Sequence, residues 1–213
     1  PVSAEVLFVC DAGDGSAPSA GDTATAYPTI SEALAAVKPT DGYDTVVVYA
    51  AVNSPAYREN LILPVGVTLI SARAYFGSGD REPVIAAGNG TIIQGSDSAT
   101  LCGFQLDGLA PASGHYGVHL SGTWNMTVSA ATARNCEYGF HLNSAWNSVL
   151  TGNTADSNDC GFVVTSSLVN RLADNRSANN AWYGYVLTMS NGNTLINNTG
   201  ENNGRHGFWL VMA

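Results

Sequence analysis

The chain has 213 residues, 45% of them hydrophobic and only 12% charged, with 23 glycines and a formal net charge of −9. The apolar share suffices for a packed core and excludes wholesale disorder. One lysine, Lys38, and seven scattered arginines exclude a surface that tracks nucleic-acid phosphates. No run of 18 apolar residues exists to insert into a membrane. A chain opening at Pro1 without Met or an apolar leader is expected to have lost any signal peptide.

Asp11, Asp14 and Asp22 fall in an opening loop and could hold calcium through oxygen ligands. Their spacing is not that of a calcium loop, and a solvated entry loop is the simpler reading. Thr29-Ile30-Ser31-Glu32 forms a capping box, and Ile30, Ala33, Leu34 and Val37 follow helical spacing before Pro39. This predicts a helix over 29–37 within a cap region, 1–44. Strands are predicted at Thr45–Tyr49, Val67–Ser71, Thr91–Gln94 and Ala99–Leu106, followed by a loop at Gly108–Gly114.

The rest of the chain repeats itself. Tyr116-Gly117-Val118-His119-Leu120 returns as Tyr138-Gly139-Phe140-His141-Leu142, then as Cys160-Gly161-Phe162-Val163-Val164, Tyr183-Gly184-Tyr185-Val186-Leu187 and His206-Gly207-Phe208-Trp209-Leu210. The glycines step by 22, 22, 23 and 23 residues, the signature of a solenoid. A second motif, Asn125-Met126-Thr127-Val128, recurs from Asn147, Asn170 and Asn193. Its third residue always precedes the next glycine by 12 positions, which assigns the variable residue to the connection leaving the glycine strand. Short apolar-alternating stretches between Asn, Gly, Ser and Asp exclude helical repeats. The fold expected is all-β: a parallel β-helix over 45–213, about three strands per coil, with coils roughly 4.8 Å apart.

Columns of the stack then acquire meaning. Val118, Phe140, Phe162, Tyr185 and Phe208 are expected inside, with Leu120, Leu142, Val164, Leu187 and Leu210. Asn125, Asn147, Asn170 and Asn193 would form one ladder, and Asn135, Ser157, Asn180 and Asn203 a second. Cys136 and Cys160, in adjacent coils but offset by two positions, suit either a disulfide or two buried thiols.

The opening Phe8–Asp22, Tyr27-Pro28-Thr29-Ile30, Asp44–Tyr49, Tyr57-Arg58-Glu59-Asn60 and Gly66-Val67-Thr68-Leu69-Ile70 resemble the N-terminus of pectin-lyase-like right-handed parallel β-helix proteins. The Asn-rich coils resemble their carbohydrate-binding and sugar-hydrolysis repeats. The likeness covers nearly the whole chain. It implies one β-helix domain over 1–213, a polysaccharide or cell-surface glycan as partner, and a secreted, extracellular or virion-surface location. The group's catalytic patterns do not carry over. No stacked acid column, close Asp-Asp pair or Asp-Pro-His motif is present.

Chemistry could sit on the outward column His119, His141, Val163, Val186 and Trp209. Two histidines one coil apart lie about 5 Å from each other. His115, Tyr116, Tyr138, Asp107 and Glu137 are their neighbours in sequence, although strand alternation could turn the tyrosines inward. Such a cluster could transfer a proton on a uronic sugar, with His119 and His141 as the catalytic pair, or bind a ligand without catalysis. Paired imidazoles also suit a metal, though no close metal-ligand spacing occurs. Trp124 and Trp146, 22 residues apart, are candidate platforms for sugar rings, as are Trp182 and Trp209.

Three functions stay open: a glycan-recognising module, an enzyme on acidic polysaccharides, and a structural unit of a fibre, sheath or phage particle. The last coil carries no polar cap. That predicts an oligomer or further chain against its open edge.

Overall fold

The computed structural model describes residues 5–10, 26–38, 44–51, 54–77 and 81–212. The aspartates proposed as calcium ligands lie outside these residues. The architecture is a right-handed parallel β-helix. Among the described residues its three parallel sheets hold eight, six and seven strands. Each coil of the regular half adds one strand to each sheet, as in Thr127–Ser129, Thr132–Arg134 and Tyr138–Asn143.

Helix α1 spans Ile30–Ala36, and the Thr29 hydroxyl accepts from the Glu32 amide at 3.2 Å. A second residue completes this N-terminus: Glu59 accepts from the amides of Ile30 at 3.0 Å and Ser31 at 2.8 Å. Ile30, Ala33 and Leu34 seal one side of the core. Helix α2, Ala72–Phe76, carries no helical periodicity in the sequence. It starts on the Ser71 hydroxyl and ends at Gly77, whose φ of 68° is left-handed.

The stretch 99–106 is not one strand. It divides into Thr100–Cys102 in the first sheet and Gln105–Asp107 in the second, turning at Gly103 with φ of 81°. A Cβ at Gly103 would lie 2.3 Å from Ser71 Oγ, so only glycine fits that corner.

The expected columns are present, buried as far as Tyr185 and Leu187, whereas their last members, Phe208 and Leu210, are exposed. Phe140, Phe162, Tyr185 and Phe208 stack at 4.7, 4.9 and 4.6 Å between ring centroids. Leu120, Leu142, Val164, Leu187 and Leu210 follow one another in register.

The polar ladders are real, but their membership differs from the sequence alignment. Strand register pairs Thr127 with Val149, Arg171 and Thr194. The buried column is therefore Met126, Ser148, Asn170 and Asn193, linked by amide-to-side-chain bonds of 3.2, 2.9 and 2.8 Å. Asn125 and Asn147 instead sit outside at left-handed corners, φ 59° and 51°, where a short polar side chain is tolerated. In the same way Cys136, Asn158, Asn180 and Asn203 form a buried ladder, and Asn135 and Ser157 align with exposed-side corners at Asn179 and Asn202. A third ladder joins Ala131, Asn153, Asn175 and Asn198. The extra residue of the 23-residue coils consequently lies before the glycine strand, around 181–182 and 204–205, and not after it. Cys136 and Cys160 are separate buried thiols, not a disulfide.

Candidate functional site

The site is built on the outer face of the seven-stranded sheet. Strands Tyr116–Ser121 and Tyr138–Asn143 pair residue for residue except at their glycines. A Cβ at Gly117 would stand 2.4 Å from the Gly139 carbonyl, and one at Gly139 would stand 2.9 Å from that of Gly161. These glycines let successive coils approach, and they break the in-out alternation. Tyr116 and Tyr138 therefore face outward with the histidines, although regular alternation would have turned them in.

The result is a compact ring cluster. His119 and His141 stack at 4.8 Å with planes 2° apart. Tyr116 and Tyr138 stack at 5.3 Å. Tyr116 meets both imidazoles edge-on at 4.9 Å. His119 Nε2 and His141 Nδ1 are buried with no hydrogen-bond partner. Burial holds the His119 pKa down. Burial and then the His119 charge push His141 down to about 4. Burial first, then the Glu137 carboxylate, raises Tyr138 to about 12. At neutral pH the site presents neutral imidazoles and protonated phenols.

Of the other residues singled out in the sequence, Glu137 joins the cluster; it accepts from the Gly114 amide and so ties down the 108–114 loop. His115 is buried, its Nδ1 3.2 Å from the Ala110 carbonyl, and serves the same loop. Asp107 belongs to another sheet. Burial would raise its pKa, but Asn135, the Leu109 amide and Arg134 outweigh this and hold it low, so Asp107 is a structural carboxylate. Trp124 and Trp146 stack at 4.8 Å on the turn leaving the sheet, with Trp124 half exposed.

Two features extend the outward column that the sequence placed at Val163, Val186 and Trp209, adding Cys160, Tyr183 and Arg205, which it did not single out as site residues. Cys160, Val163 and Val186 point outward yet are buried in a small apolar cluster flanked by Tyr138 and Tyr183. Beyond it, Tyr183 stacks on Trp209 at 5.0 Å, and Arg205 lies 4.7 Å over the Trp182 ring. The 23-residue coils could have signalled the second feature, because the extra residue falls beside Trp182 and Arg205.

Residues 74–213 match the model of NosD, a periplasmic copper-binding protein. The chain belongs to the NosD family. Among solved structures, this NosD-family chain resembles pectate lyase Pel9A, with a TM-score of 0.70 at 14% identity over 95% of this chain and 55% of that one. It thus spans about half the length of Pel9A. It also resembles the A-module of mannuronan C-5 epimerase AlgE6 from Azotobacter vinelandii, with a TM-score of 0.50 at 16% identity over 85% of this chain and 67% of that one. At these identities the likeness is one of fold. A search of curated proteins gives no match.

The ring cluster does not fit copper as built. An ion shared by two imidazoles must lie in both ring planes at about 2 Å from each nitrogen. Parallel rings 4.8 Å apart have no such common point. Among the described residues no three His, Cys, Asp or Glu side chains come together as a metal site.

Proposed function

We propose that this NosD-family chain is a carbohydrate-binding module, acting outside the cytoplasm, that receives a glycan along the outer face of the seven-stranded sheet. The observation that carries the reading is the outward stack of Tyr116, Tyr138, His119 and His141, with the Trp124–Trp146 pair on the turn that follows the same two strands. Aromatic faces pack against the CH faces of sugar rings. The names of the structural neighbours, a pectate lyase and a mannuronan epimerase, agree with a polysaccharide ligand. The family description, periplasmic, agrees with the location.

Electrostatics favours binding over proton transfer. A base near pKa 4 and a phenol near 12 are both poorly matched to proton abstraction at neutral pH. Glu137 and Asp159 add negative charge beside the rings: after burial, Glu137 raises the pKa values of Tyr138 and Asp159, and Asp159 contributes to raising that of Cys160. A neutral glycan suits this face better than a polyuronate.

A glycan array carrying neutral, amino- and uronic-acid oligosaccharides, repeated with Tyr138→Ala and Trp146→Ala, tests the reading. Each variant is expected to bind about tenfold more weakly, since one aromatic platform contributes ~1.4 kcal/mol. No binding to any glycan, or binding unchanged in both variants, overturns it.

A further inference from the structure

In the regular coils the corner between the first and second sheets takes two residues, as at 103–104, 130–131 and 152–153. Earlier coils depart from this. After Thr68–Ser71 the chain forms helix α2 and returns to the second sheet only at Val84. The connection after Thr45–Val48 is also long, rejoining at Tyr57, which bridges to Ile85. Between these two connections lies a cavity of about 350 Å³, walled by Ala50 and Pro55 on one side and lined by Arg73, Arg81, Glu82 and Gln105. Long loops that break a regular scaffold are where binding sites are built.

This cavity brings two of the chain's few cations together. Lys38, Arg134 and Arg176 are paired with Glu5, Asp107 and Glu201. Among the described residues Arg58, Arg73, Arg81, Arg171 and Arg205 have no such partner, and of these Arg73 and Arg81 line one concavity of a protein carrying net charge −9. Guanidinium groups present planar pairs of donors that match an oxyanion. Among the described lining residues Glu82 leaves one net positive charge and an acceptor for a hydroxyl, and the Gln105 amide offers both a donor and an acceptor.

We propose that this cavity binds a small hydroxylated carboxylate of the sugar-acid class, its carboxylate between Arg73 and Arg81 and its hydroxyls toward Glu82 and Gln105. The volume suits one such ring. This site is separate from the ring cluster, and it stands or falls independently of the glycan reading.

Isothermal titration of the full chain with glucuronate, glucose and sulfate at low salt tests the proposal. Glucuronate is expected to bind, glucose to give no heat, and sulfate to bind more weakly than glucuronate. Arg73→Ala and Arg81→Ala should each weaken glucuronate at least tenfold, with an unchanged urea midpoint. Arg81→Lys should recover part of the loss, and Tyr138→Ala should leave this site untouched. Absence of glucuronate binding, equal binding of glucose, or unchanged affinity in both arginine variants overturns it.

Discussion

Asn179 and Asn180 are adjacent and chemically identical, yet the fold asks different things of them. Asn180 is 2% exposed. Its Oδ1 accepts from the Asn158 amide at 3.0 Å, and its Nδ2 donates to Ser177 Oγ at 3.0 Å and Asn203 Oδ1 at 2.9 Å. Replacing it with alanine leaves the buried Asn158 amide without an acceptor. An orphaned buried donor costs about 1–3 kcal/mol and each lost neutral bond about 1 kcal/mol, so Asn180→Ala should destabilise by about 2–4 kcal/mol. Asn179 sits at an exposed corner with φ of 55° and donates outward to Asp156. Glycine adopts that backbone freely, so Asn179→Gly should stay within about 0.5 kcal/mol of wild type. Urea unfolding followed by far-UV circular dichroism measures both. If Asn180→Ala costs under about 1 kcal/mol, or the two variants cost the same, the ladder is not what holds the coils in register.

Other consequences are as direct. Gly161→Ala would place a Cβ 1.8 Å from Ser177 Oγ and 2.7 Å from the Gly184 carbonyl, so it should cost more than about 3 kcal/mol or prevent folding; a wild-type melting curve would contradict the close-approach argument. Titration of the histidine C2 protons by NMR should give His141 a midpoint near 4 and place His119 below 6.5. Because folding depresses the His141 pKa, its contribution to stability is fully present above about 6.5 and falls as pH drops toward about 4; urea midpoints that rise on acidification through this window would reverse the sign. Cys136, buried and with its pKa pushed up to about 12, should react with a thiol reagent only on unfolding, and rapid labelling of the native chain would contradict its placement.

The period, the interior columns and the outward histidines were legible because they depend on spacing alone. A 22-residue step superposes His119 on His141 whatever the local geometry, and the structure stacks them. The ladders were less legible. Asn170 looks like the successor of Asn147, but the chain places Val169 at that corner and Asn170 one step inward. Two classes of asparagine, one tolerating left-handed backbone and one saturating buried amides, share a residue type and adjacent positions, so composition does not separate them. The outward tyrosines were hidden for another reason: the break in alternation comes from contacts between coils at Gly117 and Gly139, which no single coil records. Helix α2 and the cavity beside it fall where the repeat lapses, and with it the pattern that made the rest readable.

Each main-chain ladder bond described above runs the same way, from an N–H in one coil to a side-chain oxygen in the next. Such a stack has a head and a tail but no preferred number of members. A tandem duplication of one 22-residue unit within the regular half would meet, above and below, the same surfaces its parent met. Reach along the outer face can therefore change in increments of about 4.8 Å, one inherited unit at a time, without redesign of what lies inside.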